Sequence, residues 1–119
     1  MDINEIIIRL KKLSDPSSPL SIHKASLKSI KAQSEAKIAG FMSKRAKSME
    51  VKAARADGKS VTESEHIARI SKRYEDRKRK EFKLSLDAEI ARAEHNNLVM
   101  ERDTLKTELS AIQSQLKLK

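Results

Sequence analysis

Apolar residues recur at alternating steps of three and four through the second half of the chain. The repeat begins at Ile67 and continues to Leu116, and eleven of its fifteen positions are apolar. A strict seven-residue repeat keeps one face of an α-helix against a neighbouring helix. It therefore predicts one long helix over residues 61–117. Four polar positions within the repeat are expected to fix register and partner number: Arg77, Glu81, His95 and Arg102.

A turn is predicted at residues 58–60, directly before this helix. Gly58 adopts a positive φ without steric cost, so a preceding helix can end there and the chain can reverse. Ser60 and Glu63 have the spacing of a capping box, which starts the next helix. Two long helices joined by this turn form a helical hairpin, which would place Met49 opposite Ala68.

The first arm of the hairpin is predicted over residues 20–57. It follows a Ser/Pro linker at 14–19, in which two prolines prevent helix continuation. Ser18 and Pro19 have the residue types of an N-cap and a first helical position. Apolar residues mark one face of this arm, less regularly than in the second arm: Ile22, Ala25, Ile30, Ile38, Phe41, Met42, Met49, Ala53 and Ala56.

A short amphipathic helix is predicted over residues 2–13, with Asp2 in the capping position. Because twelve residues are marginal as an isolated helix, this segment must dock, and we expect it on the apolar stretch 98–116, within the chain or between copies. A two-helix rod of roughly 80 Å buries little surface by itself, so a homo-oligomer is expected. The residues predicted to hold the oligomer are Ile3, Ile7, Leu10, Leu98, Leu105, Leu109, Ile112 and Leu116.

These elements predict an all-α fold of a single helical domain over residues 1–119. It consists of a long, coiled-coil-like helical hairpin preceded by the short N-terminal helix, and it is expected to be oligomeric. Only 3% of the residues are aromatic and 36% are charged, which is unlike the core of an ordinary enzyme.

The positive charge is concentrated on the two arms next to the turn. The net charge is +9 for the whole chain, with +7 over residues 24–59, +3 over 60–83 and −1 over 84–119. Such an array neutralises phosphates and gains affinity from counterion release. The residues predicted to bind nucleic acid are Lys44, Arg45, Lys47, Lys52, Arg55, Lys59, Arg69, Lys72, Arg73, Arg77, Lys78, Arg79 and Lys80. The alternatives are a solvated coiled-coil surface and a surface for an acidic protein.

Base-specific recognition is not expected, because the chain has only three aromatic residues for stacking. Two of them, Phe41 and Tyr74, fall on the predicted seams, where core packing is the expected role, and the third is Phe82. Binding would then depend on phosphates and be largely independent of sequence.

Catalysis and cofactor binding have no candidate residues. The chain has no cysteine, and His23, His66 and His95 are too widely spaced for a metal site. No nucleophile has an oriented base beside it, and a phosphate-binding loop ending at Ser60 would need glycine where Ala53 stands. We therefore expect no enzyme activity, no metal and no cofactor. No stretch has the length of a membrane span, and a cytoplasmic location, the host cytoplasm for a phage-encoded protein, is expected.

Two segments resemble the recombination mediator family of bacteriophages typified by UvsY. They are residues 44–60 (KRAKSMEVKAARADGKS) and, more loosely, residues 89–116. Lys52 and Arg55 lie in a stretch similar to the family's lysine-alanine-arginine patch associated with single-stranded DNA. The resemblance implies a ring-like homo-oligomer that binds single-stranded DNA, with a recombinase and a single-strand binding protein as partners. The rival hypothesis is a non-enzymatic coiled-coil adaptor, scaffolding or inhibitor protein that acts through a protein partner.

Overall fold

The computed structural model describes residues 2–118, without the side chain of Leu118, and the described chain is helical with no strand. This confirms the predicted all-α class with a helical hairpin. The four helices are α1 (Ile3–Ser14), α2 (Ile22–Ala56), α3 (Val61–Ile70) and α4 (Lys72–Leu118).

The residues group into two compact units, and the single helical domain stays a prediction. Unit 1 comprises Met1–Ile30 with Ile90–Lys119, and unit 2 comprises Lys31–Glu89. Helices α2 and α4 each contribute one part to either unit.

The core of unit 1 forms where α1 docks on α4. Ile6 and Leu13 of α1 are fully buried and cluster with Leu105 of α4, which is 5% exposed. Docking within the chain, one of the two predicted modes, is thus confirmed. The half-buried residues around this cluster are Leu10, Leu20, Ile22, Leu98, Leu109 and Ile112. Five of the eight predicted oligomerisation residues are therefore used inside one chain, and assembly through them stays a prediction.

An ion pair fixes α1 against α4 beside this core. Arg9 Nε and Nη2 donate to the two carboxylate oxygens of Glu101 at 2.6 and 2.9 Å. The hydrogen bond from Arg9 lowers the pKa of Glu101 and also raises the pKa of Arg9. A second, more exposed pair joins α2 to α4, with Lys28 Nζ 3.4 Å from Glu94 Oε2. The Arg9–Glu101 pair is bidentate, and its geometry is therefore more specific than that of the Lys28–Glu94 pair.

Unit 2 is an antiparallel hairpin with a register different from the predicted one. Arg73 Nη2 lies 3.6 Å from Met49 Sδ, and Ser43 Oγ donates to Glu81 Oε2 at 2.5 Å. Met49 is therefore opposite Arg73 rather than Ala68, a difference of five residues. The prediction treated the second arm as one straight helix, whereas α3 and α4 are separate helices.

The junction between α3 and α4 corrects the prediction of one helix over residues 61–117. Ser71 has extended backbone angles, φ −66° and ψ 140°. Its amide donates to the Ala68 carbonyl, while its hydroxyl accepts from the Tyr74 amide. Ser71 thus ends one helix and caps the next. The seven-residue repeat does not predict this role, because it records only the spacing of apolar residues and capping depends on a polar side chain.

The other helix ends agree with the sequence except at the start of α2. The amides of Glu5 and Glu63 donate to the side chains of Asp2 and Ser60, as predicted, and Gly58 has φ +87°. Helix α2 begins at Ile22 instead of residue 20, because Ser21 rather than Ser18 supplies the capping oxygen, accepting from the Lys24 amide.

The seam of α2 is made mostly of small side chains, so the predicted apolar face is confirmed at Ile22, Ala25 and Met42 and wrong at its other six positions, which are exposed. Buried or half-buried residues of α2 repeat with a seven-residue period: Ile22, Ala25, Ser29, Ala32, Ala36, Ala39, Ser43, Ala46 and Glu50. Ile30, Ile38 and Phe41, which were predicted to form the face, are 58%, 63% and 67% exposed. The helices approach closely at this seam, so that a Cβ on Gly40 would lie 3.3 Å from Glu81 Oε1, and larger side chains are displaced to its flanks.

The seam of α4 agrees with its prediction over most of its length. Ala88, Ala91 and Leu105 are buried, and the remaining repeat positions from Tyr74 to Ile112 are half-buried. Ile70 and Leu116, at the two ends, are 66% and 59% exposed.

Candidate nucleic-acid interface

All thirteen residues predicted to bind nucleic acid lie in unit 2. Five are on α2, Lys59 is in the turn, Arg69 is on α3 and six are on α4. Eleven of them are exposed, and Lys47 and Arg77 are half-buried. Unit 2 contains sixteen Lys and Arg against ten Asp and Glu, a net charge of +6, while unit 1 contains ten against seven.

Most of these cations have no carboxylate partner. Between described residues, only two of the thirteen form ion pairs: Lys78 Nζ lies 3.2 Å from Glu81 Oε2, and Arg79 Nη2 lies 3.6 Å from Glu75 Oε1. Both pairs join residues of the same helix and are partly exposed. A surface cation without a carboxylate partner can pair with an anion from outside the protein. Eleven of the thirteen side chains are therefore available for phosphate contacts.

The structure brings several of these cations together across the hairpin. Arg45 on α2 and Arg73 and Arg77 on α4 line a cavity of about 260 Å³. Arg77 also lines a second cavity of about 350 Å³, where Lys80 joins it. Residues distant in sequence thus form one basic strip along this side of unit 2. Lys52, Arg55, Lys59 and Arg69 line neither cavity.

Glu81 is the acidic residue most closely integrated into the basic part of the hairpin. It accepts a hydrogen bond from Ser43 Oγ, which lowers its pKa against the opposing effect of burial, and Lys78 lowers the pKa further. Lys78 in turn places its ammonium 5.9 Å from the centre of the Tyr74 ring. Glu81 therefore stays ionised and holds Lys78 to one position.

Two phenylalanines stand exposed among the cations. Phe41 is 67% exposed and Phe82 is 72% exposed, whereas Tyr74 is half-buried on the seam as predicted. The expected core role of Phe41 is wrong, because the seam is occupied by its small neighbours Ala39 and Ser43. The alternation of Ala and Ser at steps of three and four was the sequence signal that would have placed Phe41 on the surface.

Neither a metal cluster nor a membrane span is found in the part of the chain that the structure describes. No three His, Cys, Asp or Glu side chains of residues 2–118 are grouped as metal ligands. None of the described helices is both long enough and apolar enough to cross a lipid bilayer.

Comparison with known proteins gives no relative. No protein-family model matches the chain, and no curated protein or solved structure matches it.

Proposed function

We propose that the protein binds single-stranded nucleic acid, with DNA as the favoured form, through phosphate contacts on unit 2. The observation that carries this proposal is the set of eleven cationic side chains with no ion pair to a described residue. Each phosphate that such a cation neutralises releases condensed counterions, which favours binding at low salt. Contacts of this kind do not depend on base sequence.

The exposed phenylalanines support a preference for single strands over duplex. In a duplex the bases are stacked on one another and their faces are closed, whereas in a single strand each base offers a face to an aromatic ring. Phe41 and Phe82 are exposed rings of the described chain, and Phe41 has an unpaired lysine, Lys44, three residues away on its own helix. Phosphate and base contacts would thus come from adjacent side chains.

A role as recombination mediator follows from the resemblance to the UvsY-typified family. In this proposal the basic unit 2 holds the strand and the protein assembles as a homo-oligomer through unit 1, with a recombinase and a single-strand binding protein as partners. The partition of residues supports it, since the thirteen cationic candidates lie in unit 2 and the eight apolar candidates in unit 1.

The first experiment measures binding to a labelled oligonucleotide of about 30 nucleotides, single-stranded or as duplex, by fluorescence anisotropy across a salt series. We expect tighter binding to the single strand and a linear fall of log affinity with log salt, with a slope near −0.7 for each phosphate neutralised. Binding to neither form, or equal binding that salt does not change, would refute the proposal and favour the adaptor hypothesis.

Variants then locate the contacts. Lys52→Ala with Arg55→Ala removes two exposed charges from unit 2 and is expected to flatten the salt slope by about 1.4. The control, Lys11→Ala with Lys12→Ala, removes two exposed charges from α1 and should leave the slope unchanged. Phe41→Leu keeps an apolar side chain but removes the ring, so it should weaken binding to the single strand and spare the duplex.

A further inference from the structure

An open groove with an apolar floor runs along one side of the unit 2 hairpin. Its floor is formed by Ile38, Ala39 and Met42 of α2 and Leu84 of α4, around the cavity of about 350 Å³. Ile38 is 63% exposed, and Met42 and Leu84 are half-buried. These three side chains therefore keep apolar surface open to solvent. The groove exists because the seam residue Ala39 is too small to fill the space between the two helices.

Cations surround the floor of this groove. Arg77 and Lys80 line the larger cavity, and Arg45 and Arg73 line the adjoining one together with Met42 and Met49. Arg77 and Met42 belong to both cavities, so the two form one continuous groove. Glu35 is the single carboxylate among the lining residues, which leaves four cations against one acid.

The dimensions of the groove fit a helix. Along α2 the lining residues extend from Glu35 to Met49, roughly 21 Å at 1.5 Å per residue, or about four helical turns. A groove between two antiparallel helices is the position that a third helix fills in a three-helix bundle, with side chains from successive turns inserted between the two.

We propose that this groove binds an acidic amphipathic helix of a partner protein, whose aliphatic side chains insert between Ile38 and Leu84 and whose carboxylates face Arg77 and Lys80. Charge complementarity selects this occupant. A second copy of the chain carries a net charge of +9, and even its C-terminal part, residues 84–119, has a net charge of only −1, which is a poor complement to four cations. A nucleic-acid strand would find aliphatic side chains and no aromatic ring on the floor for its bases.

Arg45, Arg73, Arg77 and Lys80 are also candidates for phosphate contacts, but this proposal rests on the apolar floor, which phosphate contacts do not use, so the two proposals are tested separately. The probe is a labelled synthetic helix of about three heptads with Leu at positions a and d and Glu at e and g. Two control peptides differ from it only in having Lys in place of Glu, or Gln in place of Leu. We expect the unmodified protein to bind the Leu/Glu peptide at least about tenfold more tightly than either control.

Protein variants then test the location. Ile38→Glu with Lys80→Glu places charge on the floor and reverses a charge at its edge. Val61→Glu with Arg69→Glu makes the same change of charge at two exposed positions of α3, outside the groove. Circular dichroism establishes that both double variants remain helical. The groove variant is expected to lose about tenfold or more in affinity for the Leu/Glu peptide, and the α3 variant to keep it within about twofold.

Four outcomes would overturn the proposal. They are no binding of the Leu/Glu peptide, equal binding of the Lys control peptide, equal losses in the two double variants, and self-association of the protein that Ile38→Glu abolishes. The last would assign the groove to a second copy. Because the peptide controls use the unmodified protein, they stand even where a variant does not fold.

Discussion

Two buried serines in unit 2 should respond in opposite directions to the same substitution. Ser43 and Ser64 both have fully buried side chains in helices of unit 2. Ser43 Oγ donates to the carboxylate of Glu81 and also lies 3.0 Å from the Gly40 carbonyl oxygen, whereas Ser64 Oγ has no hydrogen-bond partner among the described residues. Alanine at either position removes the hydroxyl, adds similar helix propensity and leaves little cavity. The two changes in the free energy of unfolding therefore compare the loss of a hydrogen-bonded hydroxyl with the loss of a buried hydroxyl that has no partner.

The magnitudes follow from the surroundings of each hydroxyl. A hydrogen bond to a charged group is worth about 1.5–3 kcal/mol, and the lower end applies to Ser43 because Glu81 is 26% exposed and keeps Lys78 at 3.2 Å. Burial of an unpaired hydroxyl costs about 1–3 kcal/mol, so its removal from Ser64 is stabilising. Including about 0.5 kcal/mol of helix propensity, Ser43→Ala should lower the free energy of unfolding by about 1 kcal/mol, and Ser64→Ala should raise it by about 1.5 kcal/mol.

The effect of Ser43→Ala should also depend on pH. The hydrogen bond from Ser43 is the main cause of the lowered pKa of Glu81 in the folded protein. A lowered pKa contributes stability that is present above the ordinary glutamate value of about 4.3 and is lost as pH falls through the folded value. The loss in the free energy of unfolding caused by Ser43→Ala is therefore largest at neutral pH and becomes smaller below about pH 4. The increase caused by Ser64→Ala does not change with pH.

The assay is urea unfolding followed by circular dichroism at neutral and acidic pH, at one fixed protein concentration, because any self-association makes stability depend on concentration. The expected separation of the two variants at neutral pH is about 2.5 kcal/mol, which thermal unfolding would show as roughly 10 °C. Equal effects of the two substitutions, or a Ser43→Ala penalty that acid leaves unchanged, would refute the assignment of the hydrogen bond to ionised Glu81.

Three further predictions concern the packing of α1, its ion pair and the two glycines. Leu105→Ala should cost about 2–4 kcal/mol in urea unfolding, because it empties the centre of the unit 1 core; a cost below about 1 kcal/mol would contradict that burial. Arg9→Ala should cost about 1 kcal/mol or less, since its side chain is 30% exposed, and added salt should reduce the difference in melting temperature from the unmodified protein. Gly58→Ala should cost about 1 kcal/mol through strain at φ +87°. Gly40→Ala should be nearly neutral, because the gain in helix propensity offsets the small shift that the Glu81 carboxylate must make, and thermal melts of both variants compare the two costs.

The two long helices differ in how far their sequences predict their packing. In α4 the seam carries large apolar side chains such as Leu84, Leu98 and Leu105, so the hydrophobic period and the buried face coincide. In α2 the seam carries Ala and Ser, which contribute little to hydrophobicity, while its large apolar residues lie on the flanks. A prediction that follows the largest apolar side chains therefore finds the wrong face of α2.

The sequence also predicts one part of the candidate site and not another. Charge is visible in the sequence whatever the packing, so the concentration of cations in unit 2 was predictable from composition along the chain. The groove was not, because it requires Ile38 of α2 and Leu84 of α4 to flank the same gap, and that depends on the register of the hairpin. That register differs by five residues from the one expected for a chain that reverses at Gly58.

The small seam of α2 is the common cause of the features to which we assign function. With Ala39 and Ser43 facing α4, the backbones come close enough that Ser43 reaches Glu81, and no room remains there for Ile38 or Phe41. Ile38 and Phe41 therefore lie on the surface beside unpaired cations. In our two proposals the cations attract anionic partners, the exposed Ile38 forms part of an aliphatic floor for a helix, and the exposed Phe41 offers a ring to a base.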